Sequence, residues 1–462
     1  MSPRHGKEDD SAGVSSSSSE EHWTLSLDPE KLATEEPPNS IAANPTVNHL
    51  ARNSDDEPGP PPDGGWKAWL CALCGHFLFM NTWGFINSFG VFQTYYTTLL
   101  DKPPSDISWI GSIQVFLSFF VGAFIGRFTD GGYLRHVLVC GTAMVTLGIF
   151  TASVSTQYWH FVLSQGICCG LGSGCLVTPA VSVVSTYFEK KRSLAIGFAT
   201  CGSVTGGLVF SAMARQLIPS SGIGWALRGI GFVQVATLLF VTTFMRSRLP
   251  PRKAGRLVEW VAFKELEYTF FTAGMFFNFW AVFFGFYYVA SYSRDIITPH
   301  FSYTDSLNIL LILNGVGVVG RMIPNHFADR VGPLNMMIPT CVIAGIALYS
   351  WIAVHTPGQL YAWTVVYGIV AGGILSLFPA GLSSLTTDLS KRGARIGMNF
   401  TIVSFATLTG NPIAGAIISS TGGRYLGAEI LMGTSFLLGA AFIFAARLTR
   451  QRKTKRGWWI KI

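Results

Sequence analysis

Few residues in this chain are equipped for chemistry, and most of those stand inside stretches that are otherwise apolar. Cys71-x-x-Cys74 has the spacing of a redox pair or of half a zinc site. With no second pair and no histidine at ligand spacing on a loop, both thiols read as packing residues, and no metal site is expected. All eight cysteines (Cys71, Cys74, Cys140, Cys168, Cys169, Cys175, Cys201 and Cys341) fall in apolar stretches, which argues against disulfides. His76, Asn81, Asn87, Gln165, Asn278, Asn314, Arg321, Asn399 and Asn411 are polar groups in the same surroundings. A polar side chain there is costly unless it faces protein or water, so the set marks a pathway for a polar solute. His76 is the member that titrates near neutral pH, which makes it the candidate carrier of a proton. Taken singly, each amide has a plainer reading as a hydrogen bond between packed helices. No Ser, His and Asp set converges as nucleophile and base, so no catalytic residue, enzyme activity or cofactor is expected.

The elements that hold these residues follow from composition. Of 462 residues, 49% are hydrophobic and 13% charged, a balance that excludes an ordinary soluble globule. Acidic residues are unevenly shared, 13 of the 25 lying in residues 1–63. That segment, with its serine run from Ser15 and its "EPGPPP", cannot bury enough apolar surface to offset the entropy of ordering. Residues 1–62 are therefore expected to be a disordered tail, and they carry no secretory signal pattern. Beyond it, twelve stretches are long and apolar enough to cross a bilayer as helices. They lie near 66–90, 107–127, 135–155, 160–182, 194–214, 226–245, 269–291, 305–323, 334–354, 360–380, 395–418 and 426–447. Pairs such as Gly122 and Gly126, or Gly202 and Gly206, place small residues where helices approach closely; no strand precedes them, so they are not phosphate loops.

Lysine and arginine gather in alternate loops, at Arg127, Arg135, Lys190 to Arg192, Arg246 to Lys264, Arg330 and Lys391 to Arg395. This bias predicts a multi-pass integral membrane protein with both termini cytoplasmic, and the plasma membrane is the expected location. The segment from Arg447 adds seven basic residues beside two tryptophans, as suits a stretch drawn to anionic lipid. Because the cations are dispersed among loops and not collected on one soluble face, no nucleic-acid partner is expected. The expected partners are the lipid bilayer and a small-molecule substrate, with a proton as candidate co-substrate.

The chain also repeats itself. "PAVSVVSTYFEKKRSLAIG" from Pro179 aligns with "PAGLSSLTTDLSKRGARIG" from Pro379 at an offset of 200. Phe89-Gly90 and Gly126-Arg127 correspond to Phe284-Gly285 and Gly320-Arg321 at offsets of 195 and 194. These repeats predict an all-α fold of twelve transmembrane helices in two pseudo-symmetric six-helix halves, 63–245 and 269–447. A linker, 246–268, joins them, and 448–462 form a basic tail. Two such halves with a site between them near the bilayer midplane are a secondary-transporter architecture.

At these residues the chain resembles a known family. "GRFTDGGYLR" and "GRMIPNHFADRVG" are similar to the loop signature of the major facilitator superfamily. "DGGWKAW" (Asp63, Gly64, Gly65, Trp66, Trp69) and "YFEKKRSLAIGFATCGSVTGG" (Tyr187, Phe188, Lys191, Arg192, Gly197) resemble the two signatures of its monocarboxylate porter family, in the fungal form. One departure is the extra residue between Trp66 and Trp69. The resemblance implies a cavity lined by helices one, four, seven and ten, with five, eight and eleven. It also implies a latch of Arg127 and Asp130 with Asp329 and Arg330, which competes with ordinary positive-inside topology for those charges. Asp63 is a candidate bridge to a basic loop, while Trp66 and Trp69 read as interfacial anchors.

Two positions depart from that family's pattern. Asn87 or Ser88 stands where its porters carry a carboxylate-binding lysine, and Gly317 stands one turn before Arg321, where they carry a proton-accepting acid. No Asp or Glu falls at mid-span. Helix seven instead offers "FFNFWAVFFGFYY" from Phe276, nine aromatics in thirteen residues, which favours a bulky, partly apolar substrate. The leading expectation is an alternating-access carrier exporting a fungal secondary metabolite. Proton-coupled uptake of a monocarboxylate or vitamin-like anion is the alternative, and a non-transporting nutrient sensor is a third class.

Overall fold

A computed structural model of the chain describes residues 62–188, 191–248, 259–385 and 389–454, all within one compact unit, Pro58–Ile462. The expected disordered tail up to residue 61, linker residues 249–258 and the basic tail from 455 lie outside the described residues. Every regular element among the described residues is a helix. The first four spans are α1, Gly65–Leu100, α2, Pro104–Phe128, α3, Leu134–Ala152, and α4, Tyr158–Tyr187. Arg192–Phe244 then runs 53 residues without a loop. At 1.5 Å per residue that is about 80 Å, more than twice the ~30 Å of a hydrocarbon core. Gly222, at φ 79°, breaks the helical geometry, and the arms before and after it are two spans, α5 and α6. The remaining spans are α7, Leu266–Asp295, α8, Tyr303–Val331, α9, Pro333–Trp351, α10, Pro357–Leu385, α11, Leu389–Ser420, and α12, Leu426–Thr454.

Several helices outrun the expected spans: α1 continues to Leu100, α8 to Val331 and α12 to Thr454. Hydropathy marks the stretch that must lie in hydrocarbon, whereas a helix persists beyond it wherever water or side chains satisfy its ends. Hydropathy is equally blind to internal defects. α1 contains a π-helical turn at Met80–Gly84 and α4 another at Val162–Cys168, while α1 breaks at Ser88 and α7 near Phe283. Those two breaks stand 195 residues apart, the offset of the sequence repeat. The halves meet along two seams, α2 against α11 and α5 against α8. Within the first half, α1 and α5 approach closely because Gly84 and Gly206 face one another: a Cβ on Gly84 would lie 2.5 Å from the Gly206 Cα.

Candidate functional site

The end of the bundle near Gly65 is closed by the signature residues. Gly65, at φ 80°, makes the turn into α1 in a conformation that glycine adopts without strain. Asp63 donates its backbone N–H to the Tyr187 carbonyl at 3.2 Å, and its carboxylate accepts from the Lys191 N–H at 3.5 Å. Asp63 thus joins the end of α4 to the start of α5 through the backbone. Trp69 packs edge-on against Phe188 at 5.3 Å, the Tyr187 hydroxyl donates to the Arg246 carbonyl at 3.1 Å, and the Arg248 guanidinium donates to the Thr186 carbonyl at 3.0 Å. Trp66 remains 79% exposed. The two sequence signatures therefore form one cluster where α1, α4, α5 and α6 end.

The second half is strapped at the same end by charges. Arg395 of α11 holds Glu259 and Glu265 with contacts of 3.1 and 2.6 Å, and Arg450 and Lys453 of α12 both reach Glu267. Hydrogen bonding to Arg395 holds the Glu265 carboxyl below the usual carboxylate range. Of the expected latch, Arg127 is half-buried and Arg330 exposed. The Asp130, Asp329 and Arg192 side chains lie outside the described residues.

Between the halves at mid-depth lies an aromatic layer. Trp83 of α1 meets Phe119 of α2 at 4.8 Å and stacks on Phe283 of α7 at 6.2 Å; Phe119 meets Phe279 of α7 at 5.5 Å and Phe400 of α11 at 5.2 Å; Phe378 of α10 meets Phe279 at 4.9 Å. Towards the opposite end of the bundle, Phe89 packs on Tyr287 at 4.9 Å. The Tyr288 hydroxyl, donating to the Asn411 carbonyl at 3.0 Å, faces Ser108 and Gln93.

The polar residues singled out by sequence divide into two groups. Asn81 turns to α6, donating to Thr237 at 2.8 Å, and Asn278 turns to Gly439 of α12 and Cys341 of α9. His76 lies where α1 meets α5, half-exposed, with Nδ1 3.0 Å from the Phe198 carbonyl and its ring stacked on Phe198. These three, like Gln165 and Asn399, face neighbouring helices of their own half. Asn87 instead meets α8 across the seam, its carbonyl 3.5 Å from the Asn314 amide. Arg321, 7% exposed, donates to the Gly317 carbonyl at 3.2 Å beside Cys201 of α5, and no carboxylate among the described residues pairs with it. Gln165 accepts from Tyr96 at 2.9 Å, and Asn399 donates to Thr272 at 2.8 Å. Sequence reasoning passed over Gln93, Gln114 and the aromatic layer outside α7.

The arrangement is an aromatic-lined seam between two pseudo-symmetric halves, and comparison with known proteins fits it. The family model of the Major Facilitator Superfamily matches residues 71–352 and 325–458. The chain belongs to the major facilitator superfamily. It is 74% identical over 389 residues to an "MFS-type transporter" of Gibberella zeae, covering 84% of this chain and 88% of that protein. It is 34% identical to the "Aspyridones efflux protein apdF" of Emericella nidulans, with 85% and 80% covered. The Escherichia coli fucose:proton symporter shares the fold at a TM-score of 0.60 and 15% identity, with 82% of this chain and 98% of that chain covered. The protein is accordingly a multi-pass membrane transporter of this superfamily.

Proposed function

We propose that this transporter exports a small, largely apolar organic metabolite by alternating access, its halves 63–245 and 269–447 rocking about the seam. The aromatic layer of Trp83, Phe119, Phe279, Phe283, Phe378 and Phe400 carries the reading, because it draws on both halves and offers ring faces to a flat apolar solute. The name of the Emericella nidulans relative, an efflux protein, supports the direction. The plasma membrane with cytoplasmic termini, membership of the monocarboxylate porter branch, and the latch of Arg127, Asp130, Asp329 and Arg330 belong to the same proposal. The expected partners remain the bilayer, the solute and a proton carried by His76. Deleting the gene in the source organism and measuring metabolites in cells and medium tests the direction: at least one compound accumulates in cells and falls in the medium. An unchanged profile together with lost growth on a carboxylate overturns it.

Arg321 favours the second reading, uptake of an anion. A buried guanidinium with no carboxylate partner among the described residues is suited to bidentate recognition of one. If it binds substrate this way, Arg321→Lys abolishes transport, because an ammonium cannot reproduce the planar fork.

A further inference from the structure

Between the aromatic layer and the end of the bundle opposite Gly65 lies a set of buried amides whose hydrogen-bonding capacity is only partly used. Gln93 of α1, Gln114 of α2 and Gln165 of α4 are each 1% exposed or less. Both amide atoms of Gln114 and the Gln165 nitrogen have no hydrogen-bond partner among the described residues, neither does the nearby Tyr287 hydroxyl, and the Gln93 amide has only the Tyr288 hydroxyl to face. The fold brings them to one region. Tyr96, three residues along from Gln93, donates to Gln165; Gly111, three residues before Gln114, faces Phe89 and the Tyr287 hydroxyl; and the backbone of Gln114 lies against Gly170 of α4, the helix that carries Gln165. The π-helical turn Val162–Cys168 holds Gln165, and such turns recur at functional sites. Burying one amide group unpaired costs about 1–3 kcal/mol, so several together are retained against a standing penalty.

We propose that Gln93, Gln114 and Gln165 form the polar half of the substrate site and take an uncharged amide or lactam borne on an aromatic frame. This rests on the transport reading above and specifies its solute. Each glutamine presents a donor beside an acceptor, the complement of another amide. A carboxylate offers acceptors alone and leaves the Gln93 and Gln114 oxygens unmet. No Lys or Arg occurs in residues 85–100, 107–125, 161–178 or 274–292, which supply this region; Arg294 follows two residues later, beside Asp295 towards the end of α7. Arg321 lies two helical turns beyond Asn314 along α8, on the other side of the Asn87 crossing. The rings of Phe89 and Tyr287 lie against Gly111, one turn before Gln114, and would hold the aromatic frame.

The test uses the purified full-length protein, with benzamide and benzoate as matched probes and quenching of tryptophan fluorescence as the readout. Wild type is expected to bind benzamide at least tenfold more tightly than benzoate. Gln114→Leu should weaken benzamide about tenfold while raising the unfolding temperature of the unliganded protein, since an unpaired buried amide is replaced by an apolar group. Gln165→Leu, scored by benzamide affinity alone because it also strands the buried Tyr96 hydroxyl, supplies an independent reading if Gln114→Leu does not fold. Benzoate binding as tightly as benzamide, binding of neither probe, or unchanged benzamide affinity in a folded leucine variant overturns the proposal. The transport reading stands or falls separately: export lost on gene deletion, with no benzamide preference in vitro, removes the amide class and keeps the exporter.

Discussion

Arg395 illustrates what one side chain does here. It is buried, and it gathers Glu259 and Glu265 through contacts of 3.1 and 2.6 Å, so the last described part of the linker is fixed to the start of α11. Removing one member of a buried ionic group leaves the others uncompensated, and Arg395→Gln is expected to cost on the order of 3 kcal/mol, read as a lower unfolding temperature in detergent. The pH dependence has a definite sign. Arg395 depresses the Glu265 carboxyl in the folded state. Its contribution is therefore present above the unfolded carboxylate value of about 4.3 and is lost as pH falls through the depressed folded value. Wild type should shed this increment only in acid, and Arg395→Gln should lack that step; an identical acid profile in the two proteins would show that the strap carries no stability. The sequence made this arginine legible only as a positive loop charge, because its partners lie about 130 residues away. Gln93 and Gln114 escaped for other reasons: Gln93 falls past residue 90, where hydropathy ends the first span, and Gln114 lies on α2, outside the helices that the resemblance assigns to the cavity.

Glycines show how the elements are both specified and free to move. Twelve spans, their order and the repeat are legible because lipid enforces unbroken apolar helices. The π turns and the breaks at Ser88 and Phe283 are not, because they are set by how helices cross, and composition does not encode that. Two α5 glycines separate packing from motion. At Gly206 an added Cβ would meet the Gly84 Cα at 2.8 Å, so Gly206→Ala should cost ~1–3 kcal/mol and reduce the yield of folded monomer. At Gly197, a signature residue, nothing lies within 4 Å of the added atom. Gly197→Ala should therefore fold at least as well, gaining up to ~1 kcal/mol of helix propensity. If its transport falls while its unfolding temperature holds or rises, the signature glycine serves movement of α5. Unaltered transport would assign it no role beyond the family pattern.

At the scale of the molecule, alternating access requires that one end of the seam part while the other stays shut. The opposite end is held by Phe89 on Tyr287 and by the close approach of Ser105 to Gly415, while the end near Gly65 is held where Ala123 of α2 meets Gly397 of α11. A Cβ built on Gly397 lies 3.7 Å from the Ala123 Cβ, within the 3.5–4.5 Å range of a disulfide. The double variant Ala123→Cys with Gly397→Cys should therefore form a bond across the halves under mild oxidant, and the bond should abolish transport until reductant is added. The chain's eight native cysteines set the background, which oxidised wild type measures. Full transport by the cross-linked protein would mean that α2 and α11 stay together at this end throughout the cycle. Because the same two helices also run side by side past Phe116, Phe120 and Phe405, that result would move the opening to the α5 and α8 seam, where Asn314 and Arg321 lie.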